Sequence, residues 1–171
     1  MKKLITIVDK NNNVTGSATH QNAQREGLWH RIVVVHVFNS HKEIFIQKRS
    51  PRADSSPNMW DHSAAGHVDT GEIPINSAKR ELKEELGISS SKLSLITTYK
   101  TQRKSGNRKF NRYWYVYQIT YDGKINLQES ELAEGKFVDI NWLKKDMEQN
   151  PRIYTDGIKI SLQAYLDNRS S

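Results

Sequence analysis

Between Gly66 and Ile88 the chain reads GHVDTGEIPINSAKRELKEELGI, and few architectures can accommodate that stretch. A glycine-rich turn runs into Pro74, which suits the first turn of a helix because the N–H it lacks has no intrahelical partner there. Gly87 is a natural C-terminal stop. The spacing predicts a helix over 74–86. Each residue of a helix advances about 100°, so Glu81, Glu84 and Glu85 share one face within roughly a third of a turn. Like charges at that spacing repel and weaken an isolated helix. Beside them Ala78, Leu82 and Leu86 make an i, i+4, i+8 stripe, so one side can pack on a sheet while the acids face a cleft. A divalent cation reconciles the acids with one another. Hard cations take several carboxylate oxygens, and Mg²⁺ binds through a few carboxylates plus substrate phosphates.

At 171 residues the chain is long enough for one domain, expected over 1–171, with a substantial core. It has no cysteine, which excludes disulfides, thiolate metal sites and cysteine catalysis. The opening MKKLITIVDK is far too short in apolar residues for a signal sequence, and no apolar run reaches membrane-spanning length. The cytoplasm is the expected compartment, with no membrane partner. The net charge of +7 is concentrated between Lys100 and Arg112, which hold six basic residues and no acid. Such a run can hold phosphates or nucleic acid. It is more often a solvated turn, so a nucleic-acid partner is disfavoured.

Strands are expected at Leu4–Val8 and Val14–Thr19 around an Asn11–Asn13 turn, with a short helix over 20–30 broken at Gly27. Ile32–Phe38 is β-branched and almost continuously apolar, hence a buried strand. Glu43–Lys48 alternates, and Ser50–Asn58 is a loop. Leu93–Thr101 and Phe110–Thr120 read as a long hairpin around Gly106-Asn107, Gly135–Ile140 as a further strand, and Trp142–Glu148 as a short helix. Thr155 and Asp156 can cap a last helix with Ile158, Leu162, Tyr165 and Leu166 on one face. Tyr113, Trp114, Tyr115 and Tyr117 crowd one strand. Those that face outward would line a pocket or cover a homodimer interface.

The pattern Gly66-x₅-Glu72-x₇-Arg80-Glu81-Leu82-x-Glu84-Glu85-x-Gly87-Ile88 resembles the full signature of the Nudix family. Gly27-Leu-Trp-His-Arg31, Gln47-Lys-Arg-Ser-Pro51 and Trp60-Asp-x-Ser-Ala-Ala-Gly-His67 are similar to its isopentenyl-diphosphate-isomerase-like branch. The likeness covers the first half of the chain well and the second only in general layout. It implies an α/β fold, a Nudix-type α/β/α sandwich with a mixed sheet, and Mg²⁺-dependent hydrolysis of a diphosphate linkage, with Mn²⁺ as a substitute. By the matching positions Glu81, Glu84 and Glu85 would carry the metal, with the Gly66 carbonyl. Glu81 or Glu85 would orient or deprotonate the water. Some members use a glutamate outside the box, for which Glu129, Glu131 and Glu134 are candidates and Glu131 is preferred. Glu72 and Arg80 would brace the loop against the helix.

His30 and His67 match positions where the isomerase places metal-binding histidines, and both are candidate substrate-binding residues here. Arg49, at a strand end, is a candidate phosphate contact. Trp60 and Trp29 are candidates for stacking on a base, although aromatics beside a buried strand are more often core. His20, His36, His41 and His62 read as structural. Isomerase activity is disfavoured, because that enzyme needs a cysteine where this chain has Ala65 and a Glu-x-Glu pair where Phe110–Trp114 has no acid. Processing of RNA 5′ ends and a catalytically silent ligand-binding role are further alternatives. The substrate expected is a small diphosphate, a nucleoside di- or triphosphate or a nucleoside diphosphate joined to another group.

Overall fold

The computed structural model describes residues 3–90 and 92–169. Strands β1 (Leu4–Val8) and β2 (Val14–Thr19) form an antiparallel hairpin. Its turn is held by the Asp9 carboxylate, which accepts from the amides of Asn11 and Asn13 at 2.8 and 2.9 Å. Thr19 then caps helix α1 (His20–Glu26) by accepting from the Asn22 amide. Gly27, at φ 73°, closes that helix, so the chain is already extended at Trp29 and His30 rather than still helical.

Strand β3 (Trp29–Phe38) is the hub of the sheet. Along one edge it meets β1, then β6 (Ala64–His67), then β4 (Ile44–Arg49), all antiparallel. Along the other it pairs in parallel with β8 (Arg108–Thr120) over its full length from His30 to Phe38. Edges paired on both sides, and faces covered by helices, require the near-continuous apolar run of this strand. β4 pairs with the two-residue β5 (Trp60–Asp61) and with β9 (Leu132–Val138). β7 (Ser94–Ser105) pairs with β8 down to Ser105 opposite Arg108, leaving Gly106-Asn107 as a two-residue turn with Gly106 at φ 56°. The sheet is therefore mixed.

Helix α2 (Pro74–Leu86) covers one face. Its Ala78, Leu82 and Leu86 are fully buried against Val33, Val35 and Val37, the odd-numbered positions of β3. Burial of a leucine of this kind contributes about 1.5–3 kcal/mol. Helices α3 (Ile140–Gln149) and α4 (Asp156–Arg169) serve the other face, where Ile158, Leu162 and Tyr165 pack with Ile44, Ile46 and Trp60. Here the even positions of β3 arrive, with Phe38 stacked on Tyr165. Asp139 caps α3 by accepting from the amides of Asn141 and Trp142, which starts the helix two residues earlier than its apolar pattern suggests. No helix among the described residues is long and apolar enough to cross a membrane.

The aromatics of β8 divide between the core and a hollow: Trp114 and Tyr117 are buried, Tyr115 packs on the α2 core, Tyr113 lies against Trp29, and Tyr113, Trp114 and Tyr115 line a hollow beside β7. Leu82→Ala should lower unfolding stability by about 2–5 kcal/mol, measured by denaturant titration, since the site is closed on all sides and cannot collapse freely.

Candidate active site

The acidic face of α2 lies over the end of β6, and the approach is as close as two elements can make. A Cβ placed on Gly66 would stand 2.1 Å from Glu81 Oε1 and 2.2 Å from its Cδ, so only glycine leaves room for that carboxyl. Glu81 and Glu85 are buried, whereas the side chain of Glu84 is 53% exposed. Burial pushes the Glu81 carboxyl above its ordinary range, with the Arg80 guanidinium pulling the other way. It pushes Glu85 well above, reinforced by the charges of Glu81, Asp61 and Glu131. The backbone N–H of Ala65 bonds to Glu85, yet its Oε2 is buried with no hydrogen-bond partner.

Arg80 makes most of the cluster's ion pairs, and Lys3 adds one to Asp69 at 3.1 Å. Arg80 donates to Glu72 Oε1 and to the His67 carbonyl, each at 3.1 Å, to Glu81 at 2.6 Å and to Glu84 at 3.3 Å, and stands 3.2 Å from Asp69. Burial works against its charge, but Glu72 and Glu81 hold it protonated above its usual range. The Glu72–Arg80 brace expected of the loop and helix is present, and it extends further, to Glu81 and Glu84. As placed, no three histidine, aspartate or glutamate side chains among the described residues converge on a metal-binding geometry. The donor set still suits a hard divalent cation: two buried carboxyls raised by burial, an orphaned Glu85 oxygen, and a third carboxylate within reach at Glu84.

Four further groups stand around this centre, and they join it to differing degrees. Glu131, in the turn before β9, is close enough for its charge to act on Glu85. Glu134 is on β9 beside Lys48, 3.9 Å away, and contributes no such field. Arg49 donates to the Ser55 carbonyl at 2.8 Å and reaches Asp61 at 3.4 Å. Asp61 itself escaped the sequence reading. Burial pushes its carboxyl up, but the adjacent His62 and hydrogen bonds from His62 and Thr155 bring it down to about 2. Its sequence signal was its place in the Trp60–His67 motif, a place that carried no role of its own.

Trp60 is buried in the α4-side core, with Lys136 at 4.6 Å and Lys48 at 5.8 Å over its ring. Its faces are covered, so it is not open to stack on a base. Trp29 borders a hollow of 210 Å³ shared with Lys10 and Lys100, and a second of 240 Å³ adjoins Tyr99 and Trp114. Both lie along the hairpin rather than over the glutamates and are below the ~300 Å³ of a typical ligand pocket.

On the opposite face from α2, His30 and His67 come together with rings 5.3 Å apart, and His20 joins them 4.2 Å from His67. Burial lowers the titration of all three, to about 4 for His30. His20, which reads as a structural helix-start residue, thus belongs to the cluster. Beside it stands Arg112, register partner of His30, whose charge acts on all three rings. A cation at the isomerase-like histidine positions would meet that guanidinium, with the Asp61 carboxylate already engaged by His62 and Thr155, so the residues present do not fit one there.

Comparison with known proteins accounts for this geometry. The NUDIX domain family matches residues 28–156. The chain belongs to the Nudix family. Among curated Nudix relatives, an uncharacterised Nudix hydrolase of Pseudomonas aeruginosa is 31% identical over 96% of this chain and 94% of its own. An isopentenyl-diphosphate Delta-isomerase 2 of Aromatoleum aromaticum is 27% identical over 99% of this chain and 90% of its own. The crystal structure of DR0079 from Deinococcus radiodurans superposes with a TM-score of 0.79 at 20% identity, covering 95% and 99% of the two chains. As a Nudix enzyme with an intact box, the chain is a hydrolase of pyrophosphate bonds, in a family that generally uses divalent cations.

Two outcomes test the site. Gly66→Ala should cost about 1–3 kcal/mol by overpacking and displace Glu81, seen as a lower melting temperature and weaker binding of Mg²⁺. For Asp61, a depressed pKa means that its contribution is complete above the ordinary aspartate range and is lost as pH falls through about 2. Asp61→Asn should therefore remove a component of about 2 kcal/mol at neutral pH and flatten the acid limb of stability, followed by thermal unfolding across that window.

Proposed function

We propose that the protein is a pyrophosphohydrolase acting, with Mg²⁺ or Mn²⁺, on a diphosphate linkage in a nucleoside di- or triphosphate or in a nucleoside diphosphate joined to another group. The observation that carries this reading is the pair of buried carboxyls, Glu81 against Gly66 and Glu85 with an orphaned oxygen, on a helix that no local preference would load with acids.

In this reading Glu81, Glu84, Glu85 and the Gly66 carbonyl would hold the metal, with Glu131 adjoining. When bound, the metal offsets charge developing on the phosphoryl oxygens and lowers the pKa of a coordinated water. The residues do the rest by position. Glu85, raised well above the ordinary glutamate range in the bare protein, is poised to orient the water or take its proton, and Glu81 is the alternative. Arg80 holds Glu72, Glu81 and Glu84 in one frame, so the helix cannot slide relative to the glycine turn. Arg49 lies on the same side, tethered to Asp61 and suited to a substrate phosphate.

The isomerase relative has the diphosphate in its name, which supports a diphosphate as the shared chemistry, but the isomerisation itself lacks its parts here. Ala65 offers no acid or base, no cysteine exists in the chain, and Arg112 occupies the strand segment where acids would be needed. Release of inorganic phosphate or a nucleoside monophosphate should be Mg²⁺-dependent. Glu84→Gln and Glu85→Gln should each lower kcat by at least about 10²-fold, assayed across nucleoside polyphosphates, nucleotide sugars and prenyl diphosphates. Near-normal rates in both variants would remove the metal assignment, and turnover of prenyl diphosphate to an isomer would replace the hydrolytic reading.

A further inference from the structure

Of the six basic residues between Lys100 and Arg112, five are exposed along the β7–β8 ribbon, and Arg103 among them pairs with Asp156. Arg112 is different. Alternation along β8 places it on the same face as Trp114, and its register partners are His30 on β3 and Thr101 on β7. Its guanidinium lies 4.9 Å from the Phe110 ring centre and 5.5 Å from that of Trp114. No ion-pair partner stands within reach among the described residues, and its Nε is buried with no hydrogen-bond partner.

The neighbours repeat the pattern. Tyr99, stacked on Trp114 with ring centres 5.7 Å apart, has a buried hydroxyl without a partner. His30 bonds through Nδ1 to the Leu28 carbonyl at 3.0 Å, which leaves its Nε2 buried and unpartnered, and the Nε2 of His67 is in the same state. Orphaned buried polar atoms are uncommon, and four in one patch of one sheet face call for a ligand. Two of the four belong to donors, and the charge is positive. Position completes the argument: the ring of His62, which pairs with Asp61, lies 6.3 Å from that of Trp114, so Asp61 adjoins the patch, and its charge also acts on Glu85.

We propose that Arg112, with the Tyr99 hydroxyl, is an anion-binding subsite on this face of the sheet, beside the His30–His67 pair, and takes a phosphoryl oxygen of the diphosphate ligand. The subsite rests on the reading of the substrate as a diphosphate but not on the glutamates as its metal centre. An arginine suits the role because its planar fork matches a phosphoryl group and stays charged. Burial is also costly for a cation, and the Phe110 and Trp114 rings and the Asp61 charge offset only part of that cost.

The test is calorimetric titration of inorganic pyrophosphate into the full chain in buffer stripped of divalent cations, with melting temperatures measured in parallel. The unaltered chain should bind, Arg112→Gln should bind at least about tenfold more weakly, and Arg112→Lys should fall between them. The melting temperature of Arg112→Gln should stay level or rise, because an unpaired buried charge has been removed. Absence of binding to the unaltered chain, or equal affinity in Arg112→Gln, overturns the proposal. So does a drop in melting temperature as large as that of Leu82→Ala, which would make the guanidinium a structural group. No turnover and no metal enter this assay, so active Glu84→Gln and Glu85→Gln enzymes would remove the metal centre without deciding the subsite.

Discussion

The Arg80 guanidinium is the contact on which the acidic centre depends. It meets the carboxylates of Asp69, Glu72, Glu81 and Glu84 and the His67 carbonyl, and with Lys3, which pairs with Asp69, two positive charges face four negative ones. Glu85 adds a further carboxyl that Arg80 does not touch. A cluster so unbalanced is tolerable only because burial holds Glu81 and Glu85 toward their neutral forms in the bare protein. Added positive charge would let those groups ionise, which ties their protonation to ligand binding. The brace and the chemistry are thus one arrangement: the residue that fixes the helix on its turn also sets how much charge the centre still lacks.

The sheet divides the labour between its faces. Residues 64–67 alternate across β6, so Gly66 admits Glu81 from the α2 side while His67 points into the histidine patch. Four consecutive residues therefore serve two environments, one acidic and one basic. Asp61 links them, being felt by Glu85 on one side and by Arg112 on the other.

Much of this was legible in the sequence, for identifiable reasons. The Ala78, Leu82 and Leu86 stripe, the Gly87 stop and the crowded glutamates are local patterns, and local patterns transfer directly into helices. The hairpin ran further than its apolar residues indicate, because backbone pairing continues through the charged ribbon to Ser105 and Arg108 regardless of side-chain polarity. Asp61, His20 and Arg112 were missed since each matters through partners remote in sequence. Arg112 in particular sat inside a basic run and read as one more solvated charge. Only strand alternation, which puts it inward with Trp114, separates it from its neighbours.

The pairing of β3 with β8 also sets an order on biosynthesis. His30 must find Arg112 and Phe38 must find Thr120, partners about 80 residues downstream in a parallel register that no tight turn can nucleate. The box helix is therefore synthesised before the strand that completes its sheet. For that interval the valines of β3 have one open edge, and they are an apolar, β-branched segment of the kind that pairs with other chains. The strand at the hub of the finished sheet is thus also the one on which a nascent chain is most exposed to misassociation.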